Sequence, residues 1–197
     1  MPLILASASP IRAQLLTNAG LIFETVPARV DEQAVKASLL VEGVSPRDIA
    51  DALAEFKARK VADRNPDAMV IGCDQVLAFD GGVFSKPDSH DTAKAQLRAM
   101  AGQTHRLLSA AVIYDEGKPV WRHVAEVRMH MRPLSDTFID DYVTRNWDSV
   151  RHSVGAYKLE EEGARLFTRI EGDYFAVLGL PLLDLLSYLT VRGILPS

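Results

Sequence analysis

Residues 3–18, LILASASPIRAQLLTN, constrain the fold more than any other stretch of this chain. Leu3–Leu5 is a short apolar run of strand type. Ser9 then offers an N-cap and Pro10 stands where a first helical residue belongs, so a helix is expected near 10–19, ended by Asn18-Ala19-Gly20. A buried strand turning at once into a capped helix is the opening unit of an α/β fold. Leu21–Val26 reads as a second strand, and Ser45-Pro46 repeats the cap-then-proline signal before a helix to about Arg64.

The alternation continues. Ala68–Ile71 starts a buried strand, and Gln75–Phe79 with Val83-Phe84 forms a hairpin around Asp80-Gly81-Gly82. Ser89 caps a helix to about Met100, which Gly102 stops. Strands Leu108–Tyr114 and Pro119–Arg132 meet at Asp115-Glu116-Gly117-Lys118. A helix over Ser135–Arg145, a strand near 165–170 and a leucine-rich helix over Pro181–Val191 complete the pattern. Interleaved strands and helices with antiparallel hairpins predict a mixed sheet. No repeat, low-complexity tract or long linker divides the chain, so residues 1–197 are expected to form one compact domain.

Composition narrows the function classes. With 48% apolar and 24% charged residues in 197, the chain has the balance of a globular protein with a sizeable core. It has no apolar run of about 18 residues to span a membrane. The first residues lack the charged start and apolar run of a signal peptide, and the lone cysteine, Cys73, suits a reducing compartment; a cytoplasmic location is expected. A net charge of −4 without a basic stripe argues against nucleic-acid binding. Any phosphate site must then be local, built from a few Lys and Arg side chains and main-chain N–H groups.

Four groups of residues carry chemistry of that kind. Ser7, Ser9 and Arg12 lie where a strand feeds a helix N-terminus, which suits an anion, although on local grounds plain helix capping by Ser9 is the commoner explanation. Asp74 follows an apolar strand and Gly72, where α/β folds place ligands; it is a candidate proton acceptor or metal ligand, or simply a turn residue. Lys57 lies on the apolar side of its helix, and Lys86 is held extended by Pro87. The pair Asp31-Glu32 suits a hard cation or an ordinary polar loop, and Glu160-Glu161-Glu162 reads in part as a solvated face. Cys73 reads as a small core residue. No P-loop or nucleophile elbow occurs, and the five histidines lack zinc-binding spacing.

Taken together, these segments resemble the Maf-like nucleotide pyrophosphatases, a family once named for septum-formation inhibition. The resemblance rests on Leu5-Ala6-Ser7-Ala8-Ser9-Pro10 with Arg12, Val30-Asp31-Glu32, Leu53-Ala54 with Lys57-Ala58, and Ile71-Gly72-Cys73-Asp74-Gln75-Val76. Lys86-Pro87, Gly155-Ala156-Tyr157, and Gly172-Asp173-Tyr174 with Gly179-Leu180-Pro181 extend it over essentially the whole chain. It implies an elongated mixed β-sheet flanked by helices, with two lobes and a central cleft, as in inosine-triphosphate pyrophosphatases. It also implies hydrolysis of a nucleoside triphosphate to the monophosphate and pyrophosphate with a divalent cation, Mg²⁺ or Mn²⁺.

Carried onto this chain, the resemblance makes Asp74 the general base and places Ser7, Ser9, Arg12, Lys57 and Lys86 around the triphosphate. Glu32 and Asp74 would hold the metal, and Gln75 and Glu160 would touch the substrate. Three positions depart from the family's commonest pattern: Ile11 in place of a first arginine, Gln75 after the aspartate, and Glu160 in place of a glutamine. They favour the branch acting on 7-methyl-GTP over the dTTP/UTP branch. A nucleotide-binding regulator of cell division without turnover is the alternative, and a homodimer is compatible with either.

Overall fold

A computed structural model describes residues 1–196. Seven strands form one mixed sheet flanked by helices, in the order β2-β1-β3-β5-β6-β7 with β4 on β3. The strands are β1 (Leu3–Ala6), β2 (Glu24–Thr25), β3 (Met69–Phe79), β4 (Gly82–Phe84), β5 (Thr104–Asp115), β6 (Lys118–Met131) and β7 (Phe167–Glu171). The helices are α1 (Pro10–Asn18), α2 (Glu32–Val41), α3 (Pro46–Ala62), α4 (His90–Met100), α5 (Asp136–Val150), α6 (Tyr174–Val177) and α7 (Leu182–Val191). Among the described residues no helix is long and apolar enough to cross a membrane.

The chain divides into two compact units, the feature expected as two lobes. The first comprises Met1–Gln75, Ser109–Ala125 and Asp173–Ser197, of which the structure describes all but the last residue. The second comprises Val76–Leu108 and Glu126–Gly172.

In the first unit, β1 runs parallel to β3 in the register Leu3↔Met69 to Ala6↔Gly72, and parallel to β2. All four β1 residues are buried, as a strand covered on both faces requires. Helix α3 lies close against β3 because Gly72 has no side chain: a Cβ there would fall onto the Ala54 carbonyl oxygen and 2.6 Å from the Ala58 nitrogen. Ser45 caps α3 by accepting from Asp48 N at 3.2 Å.

Local expectations needed correction at four places. The strand expected over Leu21–Val26 shrinks to Glu24–Thr25, both exposed. The two strands expected on either side of Asp74 are one strand of 11 residues, so Asp74 lies inside β3 and not at its end. Asp31-Glu32, for which a polar loop was one of two readings, opens α2, with Asp31 Oδ1 accepting from Ala34 N at 3.0 Å. No residue of α2 is fully buried; Glu32, Val35, Lys36 and Leu39 form its half-buried face. Ser9 occupies the N-cap position of α1, but its side chain makes no capping hydrogen bond.

In the second unit, β3 and β4 form the expected hairpin, with Asp80 and Gly81 at φ 48° and 74° as a twist-matched two-residue turn demands. Its core holds an unusual polar pair. His105 is 1% exposed, and its Nε2 shares a 2.7 Å hydrogen bond with the Tyr157 hydroxyl, while Nδ1 has no partner. A charged ring would leave an N–H unsatisfied among apolar neighbours. Burial, aided by nearby His130, therefore pushes the imidazole from 6.5 down to about 4.

Between those values the unfolded chain takes up a proton that the folded chain refuses, so stability is lost as pH falls from about 6.5 towards 4. A shift of that size corresponds to about 3 kcal/mol. Urea unfolding at pH 7 and at pH 4.5 should show this loss in the wild-type protein, and His105→Gln should lose distinctly less. Equal pH sensitivity in the two proteins would refute the assignment.

Candidate active site

The site grows from the point where β1 ends. Past the Ala6↔Gly72 pair, β1 leaves the sheet to enter α1, while β3 continues. The Cys73 carbonyl oxygen therefore has no β1 residue paired beside it. It accepts instead from Arg12 Nη1 at 3.1 Å and from Lys57 Nζ at 3.5 Å. Two cations from α1 and α3 thus meet on one main-chain oxygen of β3.

Strand alternation sorts the neighbouring side chains. Gly72 and Asp74 share the face that α3 covers, and Lys57 stands on α3 between Ala54 and Ala58, the residues touching Gly72. Its ammonium reaches Asp74 Oδ1 at 2.5 Å and Glu32 Oε1 at 2.7 Å. The side chains of Lys57 and Asp74 are 9% and 7% exposed, and that of Glu32 is 40% exposed. A lysine is so deeply buried only when paired, and removing one partner of such a pair costs roughly 3–5 kcal/mol.

Arg12 is anchored on three sides. Its Nε donates to the Gly179 carbonyl at 2.7 Å, and Nη1 also reaches the buried Ser7 Oγ at 3.4 Å. No partner is recorded for Nη2 among the described residues. The Ser7 hydroxyl oxygen further accepts from Ser9 N at 3.2 Å. The expected two-pronged grip of Arg12 on an anion is therefore reduced: most of its donors hold main chain in place. Ser9, by contrast, keeps a hydroxyl that no cap occupies at a helix N-terminus.

Gln75 Nε2 donates to Ser109 Oγ (2.9 Å) and to the carbonyls of Ala176 and Val177 (both 3.0 Å). Cys73, on the face opposite Asp74, is fully buried, and burial pushes its thiol up to about 11, so it supplies no thiolate at neutral pH. The core role expected for it holds.

The structure thus brings Ser7, Ser9, Arg12, Glu32, Lys57, Asp74 and Gln75 together in the first unit. Lys86 and Glu160 belong to the second unit, and both are exposed. Glu160 stands beside an ordered turn. Arg145 and Asn146 hydrogen-bond the Glu162 carboxylate and hold it down to about 2, while Glu161 accepts from Ser149 and Lys158. Of the acidic triplet, Glu160 and Glu161 are exposed and Glu162 is half-buried, which matches the partly solvated face expected. Upstream, Gly155 and Ala156 both take left-handed backbone, φ 77° and 59°, before the buried Tyr157. A Cβ on Gly155 would lie 2.5 Å from Leu77 Cδ1, so only glycine fits.

Sequence reasoning missed three contributors: the carbonyls of Cys73 and Gly179, which have no signature, and Ser109. A lone serine inside the apolar run Leu107–Tyr114 was the available signal for the last.

An α/β protein with open N–H groups beyond a parallel strand, two cations and two carboxylates is of the class built to handle small phosphorylated anions. A family model described as Maf-like protein matches residues 2–191. The chain belongs to the Maf-like family. It is 64% identical over 197 residues to the nucleoside triphosphate pyrophosphatase of Ruegeria pomeroyi, covering 100% of this chain and 99% of that one. It is likewise 64% identical over 196 residues to the protein of that name from Roseobacter denitrificans, covering 99% and 98%. It is 49% identical over 187 residues to the 7-methyl-GTP pyrophosphatase of Brucella abortus, covering 95% and 94%.

Proposed function

We propose that this chain hydrolyses a nucleoside triphosphate to the monophosphate and pyrophosphate, with 7-methyl-GTP preferred and with Mg²⁺ or Mn²⁺ as cofactor. That it is an enzyme of the nucleoside triphosphate pyrophosphatase kind rests on its family and on relatives of that name at 64% identity. The observation that carries the site reading is the convergence of Arg12 and Lys57 on the Cys73 carbonyl, with Asp74 and Glu32 on Lys57.

In this reading, Ser7, Ser9 and the first turn of α1 bind the phosphates through hydroxyl and main-chain N–H donors, helped by Arg12 Nη2. Asp74 orients a water molecule and takes its proton as the oxygen attacks phosphorus. The anhydride bond between the α- and β-phosphates breaks, and pyrophosphate leaves with the bonding electrons. Lys57 holds Asp74 in place for that task.

Among the described residues no group of three or more His, Cys, Asp or Glu could hold a metal ion. Two carboxylates already converge on one cationic nitrogen, however, and a hard divalent cation is commonly held by one or two carboxylates plus substrate phosphates. Glu32 and Asp74 would hold such an ion through carboxylate oxygens other than the Oε1 and Oδ1 that Lys57 engages. When bound, it would neutralise charge developing on the phosphates.

The 7-methyl-GTP preference is supported by Ile11, Gln75 and Glu160 and by the Brucella relative; an exposed carboxylate at Glu160 suits the donor edge of guanine or a cationic methylated base. A panel of 7-methyl-GTP, GTP, dTTP, UTP and CTP, scored for pyrophosphate and repeated with EDTA, tests this. 7-Methyl-GTP should give the highest kcat/KM, and chelation should abolish turnover. A clear win for a pyrimidine nucleotide, or full activity in EDTA, would overturn the respective part. Orthophosphate as first product would overturn the reaction type.

A further inference from the structure

Ser109 has no role in the site as described, yet it is fully buried on β5 and its hydroxyl has an acceptor and a donor. Its Oγ donates to the Ala176 carbonyl at 2.6 Å and accepts from Gln75 Nε2, which also reaches the carbonyls of Ala176 and Val177. These carbonyls end α6, a helix of 4 residues and far too short to hold its own shape. Two side chains from β3 and β5 therefore add to the few main-chain hydrogen bonds that hold the end of α6.

Just beyond α6 lies Gly179, the residue that anchors Arg12. Gly179 N bonds back to the Ala176 carbonyl at 3.0 Å, and Gly179 O accepts from Arg12 Nε at 2.7 Å. Gly179 has φ 96°, and a Cβ on it would lie 3.0 Å from both Arg12 Nε and Nη2, so the bare Cα leaves room for that edge of the guanidinium. A shift of the α6 end moves Gly179, and the guanidinium moves with it.

We propose that Ser109 and Gln75 are positioning residues for Arg12, acting through the α6 carbonyls and Gly179 to aim Nη2 at a bound polyphosphate. This rests on the reading of Arg12 as a phosphate contact. It gives the Gln75 amide nitrogen a definite task, because its two hydrogens already face three acceptors inside the protein.

A double-mutant cycle tests it: wild type, Ser109→Ala, Arg12→Ala and the double variant. Each is measured for kcat/KM on 7-methyl-GTP and for binding of inorganic tripolyphosphate by calorimetry, with melting temperature recorded. Ser109→Ala should weaken both about tenfold in the wild-type background and less than twofold when Arg12 is already alanine. Equal losses in the two backgrounds would reduce Ser109 to a structural residue and overturn the proposal.

If Ser109→Ala fails to fold, Gln75→Met, which keeps the volume and removes the amide, is put through the same cycle with the same expectation. Should the wild-type protein turn over no nucleotide, the proposed activity falls and tripolyphosphate binding alone decides the present inference. Absence of tripolyphosphate binding to the wild-type protein overturns it.

Discussion

Asp74→Asn is expected to slow pyrophosphate release by roughly 10²–10⁴-fold, the usual contribution of a positioned general base. Asparagine has the same shape, and its Oδ1 can still accept from Lys57, so the close contact between β3 and α3 survives. What disappears is the ability to take a proton from water. The buried ammonium keeps Glu32 and the Cys73 carbonyl as partners, which limits the structural loss. Nucleotide affinity should therefore stay within a few-fold of wild type while kcat collapses. Activity within tenfold of wild type would remove Asp74 from the chemistry. An Asp74→Asn protein that keeps full biological effect in cells would favour the non-hydrolysing regulator.

Gly72→Ala should be the most damaging small substitution in the first unit. The added Cβ meets main-chain atoms of α3, at Ala54 and Ala58, and main chain cannot rotate aside. Either α3 lifts from β3 or the strand bends, with a cost of about 3 kcal/mol or more. For a chain of this length that lowers the melting temperature by about 6–12 °C. Lifting α3 also draws Lys57 away from Asp74, since the two are joined only across this contact. Activity measured well below the new melting temperature should therefore fall as well. A folded Gly72→Ala protein with unchanged melting temperature and activity would show that the close approach matters to neither.

The two substitutions probe different levels of legibility. The α1, α3, α4 and α5 helices each begin one residue after a serine, and three of the four serines cap by side chain. Such signals are local, and they were readable. The continuity of β3 was not, because an aspartate inside an apolar run imitates a strand end. Its charge is neutralised by a lysine that lies 17 residues away in sequence. Helix α2 escaped notice for another reason: its inner face, Glu32, Val35, Lys36 and Leu39, is only half-buried and half charged, so it does not stand out as an apolar stripe.

Asp74, Lys57, Glu32, Ser7, Ser9 and Arg12 were all visible as residues with suitable chemistry. Their roles were not. Ser9 looked like a cap and caps nothing. Arg12 looked like a free anion clamp and is largely a brace on the Cys73 and Gly179 carbonyls.

By itself, then, the sequence determined the alternation of strands and capped helices, the stock of charged groups and the family. Local propensity, capping and composition act over a few residues and leave their mark in the chain. Only the tertiary structure decided which groups meet. The parallel register of β1 on β3 ends at Gly72, leaving the Cys73 carbonyl open to two cations. The missing side chain at Gly72 brings α3 near enough for one ammonium to reach two carboxylates. Strand register and the approach of packed elements are set by the whole core, and no local stretch of sequence records them.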